Sequence, residues 1–176
     1  MRFEALPLAD AWLIEAEPHV DARGSFGRLW CAREFADRGL APAFVQANLS
    51  TNPRAGTLRG LHWQEAPHAE VKLVRCLAGR ILDVIVDLRR GSPTFGRHIA
   101  VPLAAGDGRQ LYVPEGFAHG FQTLTDDVEV SYFVSAFHAP AAARGARWDD
   151  PALAIAWPLP VALISDRDRT WPDLTL

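Results

Sequence analysis

Cysteine is scarce in this chain: Cys31 and Cys76 are the only two among 176 residues. Two thiols cannot make a disulfide framework, so the fold must rest on a packed core. Long apolar runs are also missing. No stretch approaches the roughly 18 residues that a membrane-spanning helix needs. The first residues, MRFEALPLADAW, carry an early Glu and Asp and no apolar segment, so no secretory signal is read there and a cytoplasmic location is expected. Positive charge is not in excess either. The net charge is −3, which argues against a dedicated nucleic-acid binder but not against a small anionic ligand held by a few local cations. There is no internal repeat or low-complexity tract.

What is present is apolar content and punctuation. Hydrophobic residues make up 49% of the chain, enough for a core, and 176 residues suit one domain, 1–176. Thirteen Gly and thirteen Pro divide it into short pieces, which favours strands joined by turns. Strands are read at Val71–Leu77, Arg80–Leu88, Gly96–Leu103, Gln110–Val113, Phe121–Leu124 and Val128–Ser135. The first two are expected to form a hairpin around Ala78-Gly79, and the last two another around Thr125-Asp126-Asp127. Asp83 and Asp87 share a strand face with Ile81 and Ile85. Phe44–Ser50 alternates, with Val45, Ala47 and Leu49 on one side and Gln46, Asn48 and Ser50 on the other. Helix is expected only at Arg33–Arg38 and near Ala141–Arg144. Many short strands with regular turns point to an all-β barrel or jelly roll.

Six histidines are the first candidates for chemistry near neutral pH. His19, His68 and His98 have no informative context. His62 follows Arg59 and Gly60, and the glycine permits a bend that frees both side chains from strict alternation. That pairing suits a general base beside an anion-binding cation, although most histidines simply pack. His119 closes a Pro114-Glu115-Gly116-Phe117-Ala118-His119 turn that is similar to the second half of the cupin signature. The first half of that signature in metal cupins has two His one residue apart. Here it reads His62-Trp63-Gln64, and Gln is a poor metal ligand, so a metal site is not assembled from the motif. Asp168, in a charged tail, is either solvated or the partner of a distant histidine. Tyr132 is either core or a proton donor. Lys72 sits among apolar strand residues, and so either snorkels or faces an anion in a cavity.

Taken in order, the segments DARGSF (21–26), FVQANLS (44–50), LRGLHWQ (58–64), the run 71–97, YVPEGFAHGFQTL (112–124), ARGARWDDPALAIAWP (143–158) and ISDRD (164–168) resemble the dTDP-4-dehydrorhamnose 3,5-epimerase family. The resemblance covers about residues 14–172. It implies a homodimeric cupin jelly roll with short peripheral helices, no metal or organic cofactor, and a nucleotide-diphosphate sugar as substrate. It also implies roles for particular residues. His62 matches the family's catalytic base, Asp168 its dyad partner and Tyr132 its proton donor. Arg59 and Arg23 match cations that hold the diphosphate, while Gln46 and Asn48 match polar groups near nucleotide and sugar. Lys72 and His119 match residues of the sugar pocket, with Asp83 nearby, and Phe26 belongs to the matching substrate-binding set. Three positions depart from the family pattern. His138 stands where an aromatic stacks on the base, Phe133 where Lys is common, and Arg28 where a Glu is usual. These changes are expected near the nucleotide end. The competing readings are a metal cupin and a catalytically silent sugar-nucleotide-binding protein.

Overall fold

The computed structural model describes residues 1–175 and contains thirteen strands and two very short helices. In chain order the strands are β1 (Arg2–Ala5), β2 (Trp12–Glu15), β3 (His19–Asp21), β4 (Gly24–Phe26), β5 (Gln46–Asn52), β6 (Leu58–Gln64) and β7 (Lys72–Ala78). They continue with β8 (Arg80–Asp87), β9 (His98–Ala104), β10 (Arg109–Val113), β11 (Phe117–Thr123), β12 (Val128–Val134) and β13 (Ala143–Gly145). The helices are α1 (Ala32–Ala36) and α2 (Asp166–Arg169). One sheet has the order β1-β2-β10-β7-β12-β5 and the other β13-β6-β11-β8-β9, while β3 and β4 form a separate hairpin. All strand pairings are antiparallel.

The two sheets face each other across a core of Val74, Cys76, Ile81, Ile85, Leu103, Leu111, Phe117, Phe121 and Val130. The outer face of the first sheet, with Ile14, Leu73 and Tyr112, is covered by Phe35 of α1. The outer face of the second is covered by the C-terminal third, through Ala146 and Leu153 against Leu61, Val84 and Val86. Every residue of β11 is therefore buried. Burial on both faces also explains why β8 is dense in Ile and Val rather than alternating.

The strands read at 44–50, 71–77, 80–88, 96–103, 110–113 and 128–135 form within a few residues of their expected ends, β11 starts earlier than expected, β1–β4, β6 and β13 are not among the expected strands, and two expected hairpins do not form. β7 and β8 are consecutive yet lie in different sheets, and so do β11 and β12. The chain crosses between sheets at Gly79, whose φ of +70° only glycine adopts without strain. A Cβ there would meet Thr125 Oγ1 and Val128. The two crossings pack on each other, with Leu124 N–H donating to Arg80 O (2.8 Å) and Arg80 N–H to Thr125 Oγ1 (3.2 Å). Burial of both faces of β8 drives this arrangement, because a local hairpin would leave one face in water. The helix expected near Ala141–Arg144 is also replaced. After a turn, β13 pairs with β6, setting Ala143, Arg144 and Gly145 opposite Gln64, Trp63 and His62.

On β5 the alternation is as read, but its sense is inverted relative to a core strand. Gln46, Asn48 and Ser50 point inward and are half-buried, whereas Val45 and Leu49 are exposed. A polar face turned toward the interior requires a cavity lined by hydrogen-bonding groups.

Candidate active site

That cavity opens between the sheets and measures about 720 Å³. A neighbouring lobe of about 290 Å³ shares His62, Lys72, Tyr132 and Arg167 with it. Four strands supply the chemistry: β6 brings Arg59 and His62, β7 brings Lys72, β11 brings His119 and β12 brings Tyr132. Arg59 and His62 are three residues apart, so in a regular strand they would face opposite ways. The irregularity opposite His119 and Phe121, centred on Gly60 with φ +117°, turns both into the cavity. A Cβ on Gly60 would strike the backbone of His119 and Gly120, so glycine is required by close approach.

His62 Nε2 lies 2.5 Å from Asp168 Oδ1. The pair joins β6 to α2 across more than a hundred residues of sequence. Ser165 caps α2 by accepting from Asp168 N–H at 3.1 Å. Gly60 N–H donates to Asp168 Oδ2 at 3.3 Å, and Trp171 Nε1–H to Oδ1 at 3.4 Å. Burial alone would raise the Asp168 carboxyl, but the hydrogen bonds from His62, Gly60 and Trp171 outweigh it and hold the group below its ordinary range. An ionised carboxylate fixes His62 with its Nε2–H donated and leaves the other ring nitrogen free to accept a proton.

A second His–Asp pair stands beside the first. His119 is the register partner of His62, and its Nε2 lies 2.5 Å from Asp83 Oδ1. Asp83 is fully buried, and its Oδ2 has no hydrogen-bond partner in the structure. Lys72 is buried in the same wall. Its Nζ lies 3.3 Å from Glu70 Oε1 and donates to His62 O at 3.3 Å. Burial pushes the Lys72 ammonium down from its ordinary value, with Glu70 and then Asp83 opposing that shift. Lys72 is the chain's single lysine beside seventeen arginines. Arginine thus supplies every other side-chain cation, and the one compact ammonium is reserved for the cavity. Tyr132 shares this wall, and burial raises its phenol above the ordinary value, keeping it protonated at neutral pH.

The expected residues separate into three groups. His62, Asp168, Tyr132, Arg59, Lys72 and His119 line the large lobe, and Gln46, Asn48 and His138 line the small one. Asp83 sits behind His119 and reaches the cavity only through it. Arg23 and Phe26 are not in the cavity of this chain. They lie on the β3–β4 hairpin, where Phe26 is 80% exposed and Arg23 pairs only with Asp21. Of the three unusual positions, only His138 reaches the site. Phe133 packs on Phe44 outside the cavity, and Arg28 pairs with Glu34. Gln64 has a different job from the metal ligand it replaces. Its amide donates to His68 O and accepts from Ala139 N–H, tying two loops to β6. Arg167, Ser165 and Glu70 also line the lobes and were not singled out from the sequence. Among the described residues no group of three or more His, Cys, Asp or Glu is gathered as a metal site.

A cupin-type jelly roll that turns a His–Asp pair, a tyrosine and a lysine toward one cavity has the groups that acid–base chemistry needs. The dTDP-4-dehydrorhamnose 3,5-epimerase family model matches residues 5–175. A relative of that name from Sinorhizobium fredii is 43% identical over 179 residues, covering 99% of this chain and 90% of its own. A crystal structure of dTDP-4-dehydrorhamnose 3,5-epimerase from Bacillus anthracis with TDP and PPi bound superposes with a TM-score of 0.94. It is 41% identical, over 98% of this chain and 99% of the other. The Legionella pneumophila enzyme in complex with dTDP-4-keto-L-rhamnose gives a TM-score of 0.87 at 36% identity, over 95% and 89%. The chain belongs to the dTDP-4-dehydrorhamnose 3,5-epimerase family.

Proposed function

We propose that the protein inverts C3 and C5 of dTDP-4-keto-6-deoxyglucose by proton transfer through an enolate, with His62 as base and Tyr132 as acid. The observation that carries this reading is the convergence of His62–Asp168, Tyr132 and Lys72 on one cavity. The C4 carbonyl acidifies the protons on its neighbouring carbons. His62, oriented by Asp168, removes one of them. Negative charge develops on the carbonyl oxygen, and Lys72 with His119 supplies cationic and hydrogen-bonding stabilisation in a desolvated wall. Tyr132 returns a proton from the other face, which inverts the centre. Asp83 anchors His119.

Arg59 is assigned to the diphosphate, and Gln46, Asn48 and His138 to the nucleotide end. The relatives crystallised with TDP and with dTDP-4-keto-L-rhamnose support that substrate class. Arg23 and Phe26 enter the reading through a homodimer. Their hairpin projects from the chain with Val20 and Phe26 exposed, and Val45, Leu49 and Phe133 leave further apolar surface uncovered. A second copy brings its hairpin to this cavity mouth, so that its Arg23 adds charge to the diphosphate site. The same reading treats 1–176 as one domain and the enzyme as cytoplasmic. No helix among the described residues is long and apolar enough to cross a membrane.

The test is a deuterium-exchange assay in heavy water against dTDP-, CDP-, GDP- and UDP-4-keto-6-deoxy sugars. Two deuterons, at C3 and C5 of the dTDP sugar, with the rhamno configuration in the product, are expected. Binding without exchange across the panel would reject catalysis.

A further inference from the structure

The C-terminal segment after α2 holds a tryptophan in an unusual place. Trp171 Nε1–H points at Asp168 Oδ1, the same oxygen that faces His62. Its ring lies against β13 at Gly145, the residue paired with His62 in the sheet. A Cβ on Gly145 would fall inside the indole, so the ring reaches Asp168 only because position 145 has no side chain. On another side the guanidinium of Arg167, which lines both lobes of the cavity, sits 4.8 Å from the ring centroid. The indole is thus held between backbone and cation, with its one polar atom aimed at the dyad carboxylate.

We propose that Trp171, admitted by Gly145, is a positioning residue that orients Asp168 and limits how strongly it pulls on His62. This rests on reading His62–Asp168 as the catalytic pair. Trp171 is too far along the chain from Asp168 to be held by α2 alone, which ends at Arg169. Its fixing comes from the glycine seat. A donor on Oδ1 shares the charge that would otherwise go wholly to the imidazole. Removing it leaves the carboxylate a stronger partner for imidazolium, so the base holds its proton more tightly and protonates at higher pH. The ring also sets the carboxylate's rotation, which Gly60 N–H alone does not.

The charged and titratable groups that line the two lobes with His62 are Arg59 from β6, Lys72 with Glu70 beside it, His119 from β11 with Asp83 behind it, Tyr132 from β12, His138, Arg144 from β13 and Arg167. None is altered by Trp171→Phe, which keeps the ring and removes the donor. The experiment measures the pH dependence of kcat and kcat/KM for deuterium exchange in Trp171→Phe and Gly145→Ala. Expected are a fall in kcat of about tenfold, the equivalent of one hydrogen bond to a charged group, with KM nearly unchanged. The acid limb of kcat/KM shifts to higher pH, and Trp171→His, which restores an N–H donor, recovers part of both. Should Gly145→Ala fail to fold, Trp171→Phe carries the test. A wild-type pH profile and kcat in Trp171→Phe would overturn the proposal, and so would a rise in KM with the profile unmoved. His62→Ala is run alongside. Exchange surviving in His62→Ala rejects the base assignment, while loss there with an unperturbed Trp171→Phe rejects only the positioning role.

Discussion

The two His–Asp pairs are the instructive comparison. Each has the same 2.5 Å separation, and their histidines are register partners on the paired strands β6 and β11. Their surroundings differ. The His62 side chain is 43% exposed to the cavity, and both oxygens of Asp168 are engaged. The His119 side chain is 9% exposed, and one oxygen of Asp83 is orphaned. The first pair is open to a reacting carbon and its charge is distributed over several donors. The second is closed, and its stranded oxygen creates a local negative field near Lys72. On the proposed function, equal geometry serves unequal purposes: one pair passes a proton and the other holds a ring and a cation in place.

That contrast is open to attack by mutation. The largest expected effect is His62→Ala, which lowers turnover in a coupled assay by about a thousandfold or more. His119→Ala is expected to lose about 10- to 100-fold, the scale of a hydrogen bond to developing charge. Equal losses would erase the distinction. Next, Tyr132→Phe retains exchange at the carbon reached by His62 but loses inversion by about a hundredfold, read from product stereochemistry. For stability the order reverses. Asp83→Ala leaves a buried network broken and costs about 3 kcal/mol in denaturant unfolding, against about 1 kcal/mol for Asp168→Ala at the cavity edge.

The smallest effect is on acid sensitivity. Asp168 is held below its ordinary range, as is Asp87, where burial is outweighed by hydrogen bonds from Arg89, Ser92 and Thr94. Both groups bind fewer protons folded than unfolded. Their stabilisation is full above about pH 4 and is lost as pH falls through the folded values. Melting temperature should therefore start to drop as pH falls below about 4 and keep dropping toward about pH 2, and Asp168→Asn should flatten part of that drop.

Much of this was legible in the sequence, for identifiable reasons. Lys72 and Tyr132 lie on strands whose patterns are strong, His119 was marked by the turn that precedes it, and Gly60 marked the bend that brings Arg59 and His62 together. Sheet membership was not legible. Gly79 reads equally well as a hairpin turn or a crossing between sheets, and only burial of both faces of β8 decides between them. Arg23 and Phe26 carry the motif but lie outside this chain's cavity, on a separate hairpin whose place a local motif does not fix. Trp171 and Gly145 were missed because their contact spans the fold. The single lysine was a usable signal: one ammonium among seventeen guanidiniums marks a position where compact charge is needed.

The central claim is that only the open pair moves the proton. Its most direct test is wash-in of solvent deuterium at C3 and C5 of saturating dTDP-4-keto-6-deoxyglucose, followed by NMR in His62→Ala and His119→Ala side by side. The account predicts no wash-in above background for His62→Ala and measurable, slowed wash-in for His119→Ala. Wash-in by His62→Ala at the wild-type rate, or its complete loss in His119→Ala alone, would contradict it.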